Sequence, residues 1–394
     1  MSYPQVKLGD LCEVISGGTP RRSVNAYWNG QIPWVKISDM DAREISETVE
    51  QITAEGLHES SAKLLNAGTV LFSIFASIGK VSVLQVEAAT NQAIVGVVPR
   101  DTNTISPNYL GIALEYVAAK LQRQARGVAQ SNINISILRE ALIPLPCMAE
   151  QKRIAEILDK ADELKAKRQQ AIDELDKLQQ SVFLDMFGDP VTNAKRWIDT
   201  EELCDHAMIS SGITKGRRLR EAEVTPVPYL AVSNVQDQRI VLENVKTIEA
   251  TSEEIARYAL QKGDILLTEG GDPDKLGRGA IWEGQIDPCI HQNHVFKVRL
   301  KSTALRREFL SALLSSARGK RYFLRGAKQT TGIASINMSQ LKKFPLLIPP
   351  LELQDRYVAF LDQLSSQRQI FQTQSAEMEI LFKSLQQRAF SGDL

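Results

Sequence analysis

The chain carries the same text twice, about 200 residues apart. Ser131-Asn132-Ile133-Asn134-Ile135-Ser136-Ile137-Leu138 returns as Ala334-Ser335-Ile336-Asn337-Met338-Ser339-Gln340-Leu341. Each copy runs into a Pro-containing apolar segment and then a long charged helix pattern. Solenoid repeats have periods of roughly 20–50 residues, so this unit is too long to be one. It has the size of a whole domain plus a helix. The fold must therefore be built from two related modules.

The correspondence starts near the N-terminus. Leu11-Cys12 resembles Leu203-Cys204, and Ser16-Gly17-Gly18-Thr19 resembles Ser211-Gly212-Ile213-Thr214. Pro33-Trp34-Val35-Lys36-Ile37-Ser38-Asp39 matches Pro228-Tyr229-Leu230-Ala231-Val232-Ser233-Asn234, and both read as short alternating strands. Ala67-Gly68-Thr69-Val70-Leu71-Phe72 matches Lys262-Gly263-Asp264-Ile265-Leu266-Leu267, a turn entering a buried strand. Ile78-Gly79-Lys80-Val81 matches Leu276-Gly277-Arg278-Gly279, and Asn91-Gln92-Ala93 matches Gln292-Asn293-His294 loosely. The offset drifts from 192 at Leu11 through 195 to 203, as insertions in surface loops would cause. Between these anchors the residues differ freely. The copies share a scaffold and not a surface, which suits one fold adapted to two ligands.

Each module closes on a helix. In the first, Ile154, Ile157, Ala161, Leu164, Arg168, Ala171, Leu175, Leu178 and Val182 recur by threes and fours. In the second, the same spacing falls on Tyr357, Phe360, Leu364, Gln367, Phe371, Gln374, Met378, Leu381 and Leu385. Such a stripe predicts coiled-coil packing, with Arg168, Gln367 and Gln374 as polar seam positions that fix register. Pro144-Leu145-Pro146 and Pro349-Pro350 mark the starts, and Gly188-Asp189-Pro190 and Ser391-Gly392-Asp393 the stops. Helices of roughly 34 residues would be about 50 Å long, and paired with each other they would form a spacer. The fold class expected is α+β: globular domains at 1–146 and 189–350, and spacer helices at 147–188 and 351–394 pairing with each other as a coiled coil.

Catalytic signatures are missing. There is neither a G-x-x-x-x-G-K-[ST] phosphate loop nor a G-x-S-x-G elbow. Ile348-Pro349-Pro350-Leu351 lacks the Asn and the aromatic of an amino-methyltransferase tetrapeptide. Pro273-Asp274 is not followed by the Glu-x-Lys of a nuclease. Cys289-x-His291-x-x-His294 has ligand types suited to zinc, but no fourth ligand is close and the first copy has none of the three. Hydrogen-bonding side chains at a strand end are the preferred reading. Cys12, Cys147, Cys204 and Cys289 include no C-x-x-C pair. No apolar run approaches the roughly 20 residues that span a bilayer, and Met1–Lys7 lacks a signal-peptide core, so a cytoplasmic protein is expected.

The loops point to binding instead. Lys+Arg and Asp+Glu each number 47, so the net charge is zero. Residues 190–345 nevertheless carry 24 basic against 18 acidic side chains, whereas 1–145 carry 12 against 13. A neutral total can hide a basic face. Loops rich in Arg, Lys, Asn, Gln and Gly recur at matching places in both copies. Their cations suit phosphates, their glycines let backbone approach, and Arg, Asn and Gln can pair with purine edges. The candidates in the first module are Arg21, Arg22, Lys36, Lys80, Gln92, Arg126, Gln130 and Asn132. Those in the second are Lys215, Arg217, Arg218, Asn234, Arg278, Gln292, Lys328, Gln329 and Thr330.

The doubled module, the run from Ala125-Arg126-Gly127 through Gln130-Ser131-Asn132-Ile133-Asn134 to Ile143-Pro144-Leu145-Pro146 and Ala149-Glu150-Gln151-Lys152-Arg153-Ile154, and Gly263-Asp264-Ile265-Leu266-Leu267-Thr268 together resemble the specificity subunit of type I restriction-modification systems. The resemblance covers essentially the whole chain. It implies that each module is a target recognition domain reading one half of a split, asymmetric DNA sequence, and that the helices pair as an antiparallel coiled coil and act as a ruler. It implies docking of two methyltransferase and two restriction/translocase subunits, with Gln151, Arg153, Ile154, Leu158, Gln354, Arg356, Tyr357 and Leu361 on the docking helices. S-adenosylmethionine, ATP and magnesium would belong to those partners, and this chain would bind no cofactor and catalyse nothing. Glu352-Leu353-Gln354-Asp355-Arg356-Tyr357 departs from the first copy by lacking its Glu-Gln pair. The alternatives are the recognition subunit of a related bipartite-site methyltransferase/nuclease, or a chain with its own methyltransferase or nuclease activity.

Overall fold

In a computed structural model, residues 3–75, 77–126, 133–217, 223–271, 276–330 and 333–394 are described. The chain forms two compact units, Met1–Gln170 with Gln372–Leu394, and Ala171–Phe371.

The first unit is built around a five-stranded sheet in the order Cys12–Ser16, Ile94–Pro99, Val70–Ser73, Val81–Leu84, Glu44–Ile45. Its central strand is buried on both faces. Val70 and Phe72 point to the helix Pro107–Arg126 and its Tyr109, Leu110, Ala113 and Val117. Leu71 points the other way, to Val35, Met40 and Leu84, as period-two alternation requires. A four-stranded sheet, Glu50–Ile52, Trp28–Val35, Ala88–Thr90 and Leu64–Leu65, holds a smaller core of Trp34, Ile52, Ala62 and Ala89.

The second unit repeats this plan. Ala207–Ser211, Val295–Leu300, Ile265–Thr268 and Gly279–Ile281 take the same sheet order, and Lys246–Ala250, Thr225–Leu230 and Ile290–His291 repeat the second sheet. The parallel pairing within that sheet recurs as well, Trp34 opposite Ala89 and Tyr229 opposite Ile290. The long helix of the first unit is here two, Arg307–Ser315 and Ala317–Gly326, divided at Ser316 in extended conformation.

The repeated Ile-Asn text now has a local cause. Asn134 and Asn337 are N-caps, accepting hydrogen bonds from the backbone N–H of Ile137 (2.8 Å) and Gln340 (2.9 Å). Such caps contribute about 1 kcal/mol each. Ile133 and Ile336 are buried beside them in the two main cores. The glycines that open the repeated loops are also structural. A Cβ on Gly17 would lie 2.1 Å from the Asn91 carbonyl oxygen, and one on Gly212 would lie 1.8 Å from that of His291. These glycines let two chain segments touch. Packing within the module is therefore enough to require glycine at these two positions.

The two long helices are Met148–Phe187 and Leu351–Ser391, of 40 and 41 residues, so each is about 60 Å long rather than 50. Within the first unit their segments run antiparallel. Arg153 reaches the Leu394 carbonyl (3.4 Å) and Lys165 reaches Glu379 (2.8 Å), with the Lys165 ammonium 4.2 Å from the centre of the Phe382 ring. Within the second unit they are antiparallel as well: Asp176 pairs with Arg368, and Phe183 and Phe187 pack on Tyr357. The seam differs from the expected one at alternate positions. Leu164, Leu178 and Leu381 are 51%, 44% and 61% exposed. Lys165, Gln179 and Phe382, one residue later, are half-buried in their stead, and Arg368 and Ser375 are half-buried where Gln367 and Gln374 were expected.

A buried glutamine fixes each helix start. The Gln151 carbonyl accepts from Ser106 N (3.0 Å), and its amide donates to the carbonyls of Thr104 (2.8 Å) and Pro146 (3.0 Å). Gln354 does the same with Arg306 N (2.8 Å), Ala304 (3.0 Å) and Pro349 (2.9 Å). Gln151, Ile154, Leu158, Gln354 and Tyr357 are all fully or almost fully buried in their own units. They are therefore corrected from docking residues to packing residues. Arg153 and Arg356 remain exposed and Leu361 is half-buried.

Candidate nucleic-acid interface

In the first module the loop after Gly17-Gly18 brings several candidates together. The Arg22 guanidinium lies 3.9 Å from the centre of the Trp28 ring and 5.0 Å from that of Trp34, and it pairs with Glu50. Lys36 donates to the same carboxylate (2.5 Å). The Lys36 and Arg22 hydrogen bonds hold the Glu50 carboxyl below its usual range. Thr19 of this loop donates to the Gln92 side chain. Arg21 is exposed, and its backbone carbonyl accepts from Trp28 Nε1 (3.2 Å). Arg21, Arg22, Lys36 and Gln92 thus share one end of the module.

The equivalent loop of the second module uses different residues. Lys215 is exposed, with its Nζ 5.0 Å from the centre of the Tyr229 ring, and Tyr229 stands at the place of Trp34. Arg217 stands at the place of Arg22 and is bound side-on to Glu254 through Nε and Nη2, both at 2.6 Å. Glu254 in turn belongs to the capping box of Thr251. Gln292 is half-buried and forms a bridge with Ile213 beside this loop. A cation resting against an aromatic ring is a common recognition element. The ring supplies about 0.5–1 kcal/mol at exposed sites and holds the charge in place.

Lys80 and Arg278 form a second matched pair, on the turn after the central strand. Lys80 pairs with Asp41 and donates to the Ile37 carbonyl (3.4 Å), while Arg278 donates to the Gln236 side chain (2.8 Å). Asp41 and Gln236 occupy equivalent places, so charge is matched in one module and a neutral amide serves in the other. Asn234 is corrected: it is 3% exposed, accepting from Ala231 N (2.9 Å) and donating to the Val241 carbonyl (2.9 Å). It closes a turn, as Asp39 does by accepting from Lys36 N (2.8 Å). Gln130, Asn132 and Arg218 lie outside the described residues. Of Arg126, Lys328, Gln329 and Thr330 only the backbone is described, in a helix end and a strand.

Cys289, His291 and His294 do not converge as ligands. Burial pushes the Cys289 thiol up to about 12 and the His291 imidazole down to about 4, and His291 Nδ1 donates to the Val295 carbonyl (2.7 Å). His294 is exposed and paired with Glu269 (2.5 Å). Among the described residues no group of three or more His, Cys, Asp or Glu is arranged to hold a metal ion. No helix among them is long and apolar enough to cross a membrane.

Sequence reasoning missed Trp28, Glu50 and Glu254. Only Glu254 left a signal, the Thr251-x-x-Glu254 capping pattern.

Two copies of one mixed helix-and-sheet module, each presenting a cation-bearing loop and each met by two long antiparallel helices, define a duplicated recognition scaffold. Residues 3–175 and 199–379 match the model of the type I restriction modification DNA specificity domain, and the chain belongs to that family. It is the specificity component of such a system and not a catalytic one. It is 26% identical over 313 residues to the StySPI specificity subunit of Salmonella potsdam, across 75% of this chain and 67% of that one. It is 28% identical over 246 residues to the MjaIX specificity subunit of Methanocaldococcus jannaschii, across 61% and 55%. The chain thus spans little more than half the length of that second relative. Among solved structures, a chain from a type I R-M system described for its assembly and conformational transition superimposes with a TM-score of 0.63 at 18% identity, covering 100% of this chain and 98% of that chain. The S subunit from M. genitalium gives 0.50 at 14% identity, covering 98% and 96%.

Proposed function

We propose that this chain reads a bipartite, asymmetric DNA target, one half-site per module, and docks two methyltransferase and two restriction/translocase subunits that carry the chemistry. The observation that carries this reading is a repeated scaffold with unlike loops. Sheet order, caps and glutamine anchors recur, whereas the loop sets Arg22 against Trp28 and Trp34 in one module and Lys215 against Tyr229 in the other. Residues 1–146 and 189–350 would be the recognition domains, and 147–188 and 351–394 a coiled-coil ruler. Half-sites read from one face of B-DNA lie about one turn, roughly 34 Å, apart, and helices of about 60 Å can bridge that distance. Linking two short half-sites raises affinity through effective concentration, without new contacts. Arg21, Lys36, Lys80, Gln92, Lys215, Arg278 and Gln292 are the described side chains best placed to meet DNA, and Arg153 and Arg356 to meet partners. S-adenosylmethionine, ATP and magnesium would be bound by those partners, in the cytoplasm where the DNA is.

The test is to co-express the chain with its methyltransferase and map modified bases across the host genome. The expected result is one motif of two short blocks around a fixed unspecified gap. A contiguous motif contradicts the two-module reading.

A further inference from the structure

Arg217 looks like a phosphate contact, because it is a loop arginine in the more cationic module. Its donors say otherwise. Beyond the two bonds to Glu254, Nη2 donates to the Glu249 carbonyl (2.7 Å) and Nη1 to that of Thr214 (3.5 Å). Four of its five N–H groups are therefore used inside the protein. The hydrogen bonds raise the Arg217 pKa and lower that of Glu254. Glu254 is itself held, since the backbone N–H of Thr251 donates to it (3.0 Å) and its own N–H donates to Thr251 Oγ1 (3.2 Å). Between Arg217 and Lys215 stands Gly216 in the left-handed region (φ +68°). The turn sends Arg217 to Glu254 and leaves Lys215 exposed beside the Tyr229 ring. Arg22 stands six residues after Ser16, as Arg217 does after Ser211, and it too is bound by a glutamate, from a different element.

We infer that Arg22 and Arg217 are positioning residues: each ties its loop to a glutamate of its own module, so that the neighbouring cation, Arg21 or Lys215, is presented to the DNA backbone. The inference rests on the recognition reading above. It makes a prediction of unusual sign. Glu254 is an anion close to a surface that meets phosphates, so Coulomb repulsion alone requires its neutralisation to strengthen binding. A tether requires the opposite, because the loop is released.

The experiment uses the full chain in complex with its methyltransferase. The probes are a labelled duplex carrying the motif found by methylation mapping and a scrambled duplex, titrated over a range of salt. Glu254→Gln is the central variant, because Gln at this capping-box position preserves the helix start. The expected result is binding to the motif about tenfold weaker with an unchanged salt slope, because the freed loop still brings Lys215 to its phosphate and the loss is the cost of ordering the loop on binding. Lys215→Ala should weaken binding to both duplexes and lower the slope by about 0.9, one phosphate contact. Arg217→Lys, which keeps the charge and loses the paired geometry, should follow Glu254→Gln. Binding by Glu254→Gln equal to or tighter than the parent overturns the tether, as does a slope lowered by Arg217→Gln. A parent complex that does not prefer the motif overturns the recognition reading and the tether with it.

Discussion

Replacing Gln354 by Leu tests whether the buried glutamines are anchors or docking residues. The substitution keeps most of the volume and deletes three hydrogen bonds in a site with no solvent access. The Arg306 N–H is left without its acceptor, at about 1–3 kcal/mol for a buried orphaned donor. The Ala304 and Pro349 carbonyls each lose a donor, at about 1 kcal/mol apiece. The sum is roughly 3–5 kcal/mol. In a unit of about 200 residues, 1 kcal/mol moves the midpoint by about 2–4 °C, so unfolding should come roughly 10 °C earlier. Scanning calorimetry on the full chain measures this, and Gln151→Leu should act likewise through Ser106, Thr104 and Pro146. Arg356→Ala, on the exposed face, should stay within about 0.5 kcal/mol of the parent. If Gln354→Leu unfolds with the parent but loses the methyltransferase, the anchor reasoning is wrong.

Three further outcomes follow from the fold. Leu364→Ala should destabilise by about 2–5 kcal/mol while Leu164→Gln and Leu178→Gln are nearly neutral; the reverse order, measured by urea unfolding, would restore the simpler heptad register. Gly212→Ala should prevent soluble expression or sharply lower the unfolding midpoint, because its Cβ has no space beside the His291 carbonyl; a normal midpoint would show that the close approach is not real. His291 is held neutral by burial, with its folded pKa lowered from 6.5 to about 4. Its contribution is thus present above about pH 6.5 and is lost as pH falls toward 4. His291→Gln should flatten the stability profile in that window, and an unchanged profile would assign the acid loss elsewhere.

Much of the fold is legible in the sequence because it is written twice. Ile133-Asn134 and Ile336-Asn337 point to matched local structures, and the caps explain why those two residue types persist. The seam was only half legible. Two heptad registers share Ala161, Arg168, Leu175 and Val182, and they differ only at the intervening positions. Counting apolar residues selects Leu164 and Leu178, whereas the folded pair takes Lys165, whose aliphatic stem can cover Phe382 while its ammonium meets Glu379. The glutamine anchors are hidden in the sequence for another reason. A polar residue at a helix start looks like surface until the loop 45 or more residues earlier, which needs its amide, is in place. The same holds for Arg217, whose glutamate lies 37 residues later, whereas Asn234 closes a local turn with partners three and seven residues away. Which bases each loop reads depends on geometry that no local pattern encodes.

The claim that the two helices set the distance between half-sites has a direct test. Seven residues inserted after Ala171 and seven after Thr373 lengthen each helix by about 10 Å, or roughly three base-pair steps, and preserve the heptad register. Methylation mapping of that variant should return the two parental blocks with a gap about three base pairs longer. An unchanged gap, or altered blocks, would contradict the ruler.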